Sequence, residues 1–157
     1  MNRKMIITVL AVILAGMLQT AYGQERKLIR KGNDLYEEQK YKEAVDYYQQ
    51  ALKENPTSVT GMFNLGNAFY KQKQTDAARK AMTATARESK DSLQRAAAQY
   101  NLGNTYMDEQ KWEEAIESYK QTLRNNPRDE EARYNLPYAR AMLKIEQDGG
   151  GDDNNDQ

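Results

Sequence analysis

The sequence predicts an all-α protein made of consecutive helical hairpins, and two observations lead to this fold class. Ala, Gln, Lys, Glu and Leu dominate and proline occurs only three times in 157 residues, which favours helix along the chain. In addition, one pattern recurs around Gly32, Gly66 and Gly103, which are 34 and 37 residues apart. A period of this size is typical of a helical repeat protein, in which each hairpin packs only against its neighbours.

The first 23 residues have the layout of a secretory signal peptide. A short basic stretch at residues 2–4 precedes an apolar run at 5–18, and the small residues Ala21 and Gly23 form a cleavage site. The run has 14 residues, fewer than the roughly 20 that a membrane-spanning helix requires. We therefore expect an exported, periplasmic protein. An uncleaved inner-membrane anchor formed by residues 5–18 is the alternative.

The composition excludes several kinds of chemistry. The chain has no Cys and no His, which removes thiol nucleophiles, disulfides, imidazole bases and the usual zinc sites. Its 23 basic and 23 acidic side chains balance, so no bulk charge attracts nucleic acid or an anionic membrane. No paired-carboxylate or glycine-rich phosphate motif stands out. We predict that the protein is not an enzyme and uses no cofactor or metal.

The recurring pattern has a packing reason at each position. Small residues occur where the two helices of a hairpin would cross closely, and large residues fill the space between the helices. Pro56 and Pro127 follow the second helices and end them, because proline disfavours helix in the residue before it. Ser58 and Asp129 are suitable N-caps for the helices that come next. When each repeat is numbered so that its glycine is position 8, the small residues are Gly32, Gly66 and Gly103 at position 8 and Ala44, Ala78 and Ala115 at position 20.

This pattern resembles the tetratricopeptide-repeat (TPR) family. The resemblance implies an all-α TPR superhelix of three helix-turn-helix repeats plus a C-terminal capping helix. The repeats lie at 25–58, 59–92 and 96–129, within a TPR domain that spans residues 24–147. A capping helix at 130–147 closes the apolar end of the superhelix. Residues 148–157, rich in Gly, Asp and Asn, form a disordered tail.

Two departures from the family pattern affect the predicted helices. The glycine that usually forms the turn inside each hairpin, at position 15, is replaced by Gln39, Lys73 and Gln110. Three residues, 93–95, are inserted before the third repeat. They predict a first helix about one turn longer there, with Ser92 as its N-cap.

The chain is also similar to the TPR proteins of the Bat (Bacteroides aerotolerance) operons. The similarity lies in the opening segment 29–36, in the insertion before the third repeat, and in residues 131–136 after the Asn126-Pro127 turn. This resemblance implies a cell-envelope partner, namely membrane-anchored proteins with von Willebrand factor A domains. It also implies a role in oxidative-stress tolerance or envelope integrity.

The first helices of TPR repeats line a concave groove, and here the groove positions carry asparagine and aromatic side chains. Amides both donate and accept hydrogen bonds, which suits the backbone of an extended partner segment. Tyrosine gives contact area with little entropy to lose. The alternative is that the amides bond neighbouring repeats or water. The predicted groove residues are Asn33, Tyr36, Phe63, Asn64, Asn67, Tyr70, Tyr100, Asn101, Asn104, Tyr134 and Asn135.

These observations predict a protein-binding scaffold. A clamp for two carboxylates, as in chaperone-type TPR domains, is not expected, because Ile29, Ala97 and Asn101 occupy the positions of its basic residues. The expected partner is an extended segment or domain of one envelope protein. A holdase-like assembly factor for exported proteins is the alternative. We expect no nucleic acid, and membrane contact only through the partner or an uncleaved signal segment.

Overall fold

The computed structural model describes residues 2–149, and this part of the chain is helical with no strand. Each helix packs against the next one along the chain, so that three antiparallel hairpins stack and the last helix covers the end of the stack. The predicted superhelix of three helical hairpins plus a capping helix is therefore confirmed. The helices are α1 (Arg3–Glu37), α2 (Tyr41–Glu54), α3 (Val59–Lys71), α4 (Thr75–Glu88), α5 (Ser92–Asp108), α6 (Trp112–Asn125) and α7 (Glu130–Gly149).

Each hairpin closes where a glycine of its first helix meets a large side chain of its second. A Cβ added to Gly32 would lie 2.5 Å from Cε1 of Tyr48, and one added to Gly103 would lie equally close to Cε1 of Tyr119. Carbon atoms in contact stay about 3.5–4.0 Å apart. The absence of a side chain thus lets the two helices approach, and both tyrosine rings are buried.

The turns inside the hairpins share one backbone conformation although none contains glycine. Gln39, Lys73 and Gln110 all adopt the left-handed region, with φ of 59°, 59° and 58°. The residue after each turn donates its N–H back into the first helix, as from Lys111 to the carbonyl of Tyr106 at 2.9 Å. A side chain in this region costs roughly 1–2 kcal/mol. The three turns consequently retain strain that glycine would remove.

The N-caps agree with the sequence at two helices and differ at a third. Ser58 Oγ accepts from the N–H of Gly61 at 3.1 Å, and Asp129 Oδ1 accepts from the N–H of Ala132 at 3.0 Å. The prediction that Ser92 caps α5 is wrong. Asp91 is the N-cap and accepts from the N–H of Leu93 at 2.8 Å. The predicted extra turn is present, since α5 has 17 residues and α3 has 13.

The capping helix α7 packs on α6 and is slightly longer than predicted. Ala132 and Ala139 are fully buried, and Leu136 and Leu143 pack on the same cluster. The helix continues to Gly149, so Asp148 and Gly149 belong to its last turn rather than to a tail that begins at residue 148. The remaining predicted tail, residues 150–157, lies outside the described residues.

At the other end of the chain, α1 runs from Arg3 through the predicted cleavage site into the first repeat without a break. Ile7 and Leu10 near its beginning are exposed. Of the helices that the structure describes, none is both long and apolar enough to cross a membrane. The signal peptide and its alternative, the uncleaved anchor, stay predictions.

Candidate functional site

Amide side chains of the first helices form hydrogen bonds from one repeat to the next. Asn64 Nδ2 on α3 donates to Asn33 Oδ1 on α1 at 2.9 Å. One repeat further, Asn101 Nδ2 on α5 donates to Asn67 Oδ1 on α3 at 2.7 Å. The predicted groove asparagines thus bond each other across the repeat boundaries. This is the arrangement of the alternative interpretation, in which the amides bond neighbouring repeats.

Two buried tyrosine side chains donate hydrogen bonds to the asparagine amides. Tyr48 Oη donates to Asn33 Oδ1 at 2.8 Å, and Tyr119 Oη donates to Asn104 Oδ1 at the same distance. Burial is the main reason that the pKa of Tyr48 rises to about 12, and burial also raises the pKa of Tyr119. Both hydroxyls therefore remain protonated donors at neutral pH. The second repeat has Met82 at this position and lacks the bond.

At the last repeat the same chain of contacts reaches the capping helix. Asn135 Nδ2 on α7 donates to the hydroxyl of Tyr100 at 3.4 Å and to that of Tyr119 at 3.5 Å. The rings of Tyr100 and Tyr119 lie 5.9 Å apart in a tilted arrangement. The capping helix is accordingly joined to the third repeat by the groove side chains as well as by the apolar core.

Each amide uses only one of its two ends in these contacts. Within residues 2–149, the Nδ2 groups at position 9 of the three repeats make no hydrogen bond, nor do the Oδ1 atoms at position 6. Every one of these residues retains solvent exposure. The arrangement leaves a row of donors on Asn33, Asn67 and Asn104 and a row of acceptors on Asn64, Asn101 and Asn135.

The predicted aromatic residues have different environments. Tyr36 packs edge-on against Tyr41, with ring centroids 5.1 Å apart. Tyr70 donates its hydroxyl to Asp108 Oδ2 at 2.7 Å. Phe63, by contrast, packs on the buried cluster between the second and third repeats. Tyr134 is 76% exposed on α7. Phe63 is consequently a half-buried packing residue, whereas Tyr134 offers a free ring.

A cavity of about 180 Å³ lies between the first and second repeats, beside the first amide bond. Its lining includes two residues that were absent from the predicted site, Glu37 and Tyr48. Glu37 occupies position 13 of the repeat, which faces the groove. Tyr48 follows Asn33 by 15 residues, as Tyr119 follows Asn104, and this shared spacing is the sequence signal that indicates both bonds. The cavity is lined by Asn33, Tyr36, Glu37, Tyr48, Asn64 and Asn67.

The open end of the groove has a buried acid that the sequence did not indicate. Glu25 is 7% exposed, and its carboxylate accepts from Asn55 Nδ2 at 3.0 Å and from the hydroxyl of Ser58. These bonds tie α1 to the loop before α3. Arg26 and Arg30 line a cavity of about 730 Å³ here, and neither forms an ion pair within the described part of the chain.

Stacked helical hairpins with a polar groove define the class of protein-interaction repeat modules. Family models of the tetratricopeptide repeat match residues 32–73, 61–92 and 96–129, which together span more than half of the chain. The chain is a tetratricopeptide-repeat protein. It is 30% identical over 105 residues to the Hsp70-Hsp90 organizing protein 3 of Arabidopsis thaliana. That match covers 64% of this chain, which spans only about a fifth of the relative's length.

Solved TPR domains have the same fold. The first TPR domain of Spaghetti (RPAP3), bound to the HSP90 peptide SRMEEVD, superposes with a TM-score of 0.72 at 24% identity, and the match covers 78% of this chain and 94% of that domain. The Sgt2 TPR domain of Aspergillus fumigatus gives a TM-score of 0.73 at 19% identity, with 85% and 88% covered. At these identities the likeness shows the fold alone.

Proposed function

We propose that this protein is a non-catalytic scaffold that binds an extended segment of a partner protein in its groove. The single observation that carries the proposal is the pair of amide rows. A peptide backbone presents alternating C=O and N–H groups. The Nδ2 groups at position 9 can bond the carbonyls, and the Oδ1 atoms at position 6 can bond the N–H groups. Recognition of this kind fixes the path of a segment and leaves much of its sequence open.

The structural relatives support a peptide ligand, but the residues of this chain indicate a mode of binding different from theirs. The Spaghetti domain binds a peptide with three acidic residues near its end. In this chain, the positions where chaperone-type TPR domains carry basic side chains hold Ile29, Ala97 and Asn101, and Ile29 is only 8% exposed. A two-carboxylate clamp cannot form from these side chains. The groove depends instead on its amides.

The proposed location and partner follow from the N-terminal segment and the family resemblance. Residues 1–23 have the layout of an export signal, so we place the scaffold in the periplasm. There, membrane-anchored von Willebrand factor A domain proteins of an aerotolerance or envelope-stress system are the expected partners. N-terminal sequencing of the exported protein tests the location. A chain that starts at Gln24 supports release, and an intact N-terminus in the membrane fraction supports the anchor.

In-cell photo-crosslinking tests the groove. Arg30 at groove position 6 and Glu113 on α6 are suitable sites for a photoreactive residue, because both are exposed and neither forms an ion pair in the described part of the chain. One dominant envelope protein captured only from Arg30 supports the scaffold. Capture of many unrelated exported proteins supports the holdase alternative. Capture only from Glu113 overturns the groove as the binding surface.

Two single-atom changes separate binding from folding. Asn104→Asp keeps the Oδ1 acceptor for the hydroxyl of Tyr119 but replaces the groove-facing Nδ2 donor by an oxygen. Asn101→Asp keeps the groove-facing acceptor but removes the donor of the inter-repeat bond. We expect Asn104→Asp to reduce partner capture with little loss of thermal stability. The scaffold proposal fails if Asn104→Asp leaves capture unchanged.

A further inference from the structure

The cavity between the first and second repeats contains an unneutralised acid. Among the six lining residues that the structure describes, Glu37 is the only charged one. No cation approaches its carboxylate within salt-bridge distance in the described part of the chain. The adjacent Glu38, by contrast, is paired with Lys40 at 2.6 Å. Glu38 is thus paired with a neighbouring lysine, whereas Glu37 lines the cavity without a salt-bridge partner in the described residues.

We propose that this cavity receives a lysine or arginine side chain of the segment bound in the groove. The inference rests on the proposed function and names the residue class that the partner must supply. A cavity of about 180 Å³ corresponds to about six water molecules in the liquid. That space suits one long side chain rather than a folded surface.

The chemistry of the walls favours a cation. Glu37 is the last residue of α1, and the carbonyl end of a helix adds partial negative charge. The partly exposed Tyr36 lines the same space, and aromatic rings attract ammonium and guanidinium groups. The Oδ1 atom of Asn64 makes no hydrogen bond within residues 2–149 and can accept one from the incoming group.

The other classes of side chain fit the cavity poorly. An apolar side chain would cover Glu37 and the amides without giving them a partner, which is unfavourable for polar groups. An acidic side chain would meet the carboxylate of Glu37. The carboxylate of Glu37 already acts on Tyr48, which also lines the cavity. Burial, Tyr36 and then Glu37 together raise the pKa of Tyr48 to about 12. The walls therefore discriminate by charge.

Peptide display on the immobilised full chain tests the proposal. A library of random nonapeptides is selected on the wild type, on Glu37→Gln, on E37K and on the control Glu113→Gln, which removes the same charge from an exposed site on α6. We expect Lys or Arg to be enriched at one position on the wild type and on the control. The enrichment should vanish with Glu37→Gln and change to Asp or Glu with E37K.

A binding measurement then isolates the contact. A selected peptide is synthesised with its basic residue intact or replaced by uncharged norleucine, and both are titrated by fluorescence anisotropy. Norleucine should weaken binding to the wild type roughly three- to tenfold, as expected for a half-exposed charged contact. It should have a smaller effect on binding to Glu37→Gln, which keeps only the aromatic and amide contacts. Equal weakening in both proteins overturns the assignment of the cavity.

The outcomes distinguish this proposal from the proposed function. Peptides that are selected without a basic position, yet lose affinity with Asn104→Asp, a donor-row change outside the cavity, would overturn the cavity proposal and leave the groove function standing. A library from which nothing is enriched above a blank surface would overturn both. Because Glu37 is exposed and unpaired in the described structure, its substitution should leave the urea midpoint of unfolding essentially unchanged.

Discussion

Substitution of the position-8 glycines by alanine should have unequal effects in the three repeats. A Cβ at Gly103 would lie 2.5, 2.8 and 2.9 Å from Cε1, Cδ1 and Cζ of Tyr119. A Cβ at Gly66 would meet Met82 instead, with Cε at 2.8 Å and Sδ at 3.1 Å. The first obstacle is a buried ring whose hydroxyl is held by Asn104. The second is the flexible end of a methionine.

The magnitudes follow from two opposing effects. Alanine is about 1 kcal/mol better than glycine inside a helix, whereas overpacking a core costs about 1–3 kcal/mol. At Gly103 the ring cannot withdraw without loosening its bond to Asn104, which contributes about 1 kcal/mol. We expect Gly103→Ala to lower the free energy of unfolding by about 2 kcal/mol. At Gly66 the two effects nearly cancel, and the change should stay within about 1 kcal/mol.

Urea unfolding of the full chain, followed by far-UV circular dichroism, measures both variants against the wild type. The m-values must agree before the midpoints are compared, because local opening of one repeat would lower m. Gly32→Ala tests the same effect in the first repeat, because its Cβ would lie 2.5 Å from Cε1 of Tyr48, the distance found between Gly103 and Tyr119. Equal destabilisation by Gly66→Ala and Gly103→Ala would refute the argument that ring rigidity sets the cost.

Three further changes test other parts of the structure. Gln110→Gly should stabilise the protein by about 0.5–1 kcal/mol, since φ is 58° there; a lower urea midpoint would contradict the strain argument. Asp91→Ala should cost about 1 kcal/mol and Ser92→Ala clearly less, because Asp91 holds the N–H of Leu93; urea midpoints that fall equally would contradict this. Between pH 10 and 12 folded Tyr48 keeps a proton that the unfolded chain, with a pKa of 10.0, has lost. Stability should therefore fall as pH rises through this window, and less steeply in Tyr48→Phe, as urea titrations at each pH would show.

Much of the fold could be predicted from the sequence because its determinants are local or periodic. The close helix approaches depend on residues 16 positions apart in one hairpin, such as Gly32 and Tyr48, and the repeat shows such a pair three times. Cap residues next to proline-terminated helices were equally clear. At α5, Asp91 and Ser92 are adjacent and both are good caps, so the pattern alone does not choose between them. At α7, the Asp-Gly pair at 148–149 is typical of a helix end, yet the helix includes it.

The side chains of the candidate site could be assigned to groove positions from the sequence, but their contacts could not. The repeat register gave the groove positions directly. The partners of these side chains lie about one repeat away, as for Asn33 and Asn64, and their pairing depends on how the hairpins stack. The same holds for buried Glu25 and Ser58. An exposed acid at a helix end, such as Glu37, is common in sequences, and only the cavity beside it distinguishes this one.

In the proposed function the asparagine rows serve both stability and recognition, and this affects how variants are interpreted. Asparagine costs up to about 0.7 kcal/mol relative to alanine in a helix, and an inter-repeat hydrogen bond contributes about 1 kcal/mol. Asparagine at these positions is therefore roughly neutral for stability, and its second end is available to a partner. Alanine at Asn101 would remove the groove acceptor and also leave Asn67 Oδ1 without its donor. Weak binding by that variant would not identify a contact, whereas aspartate at Asn104 keeps the acceptor for the Tyr119 hydroxyl and changes the groove-facing end.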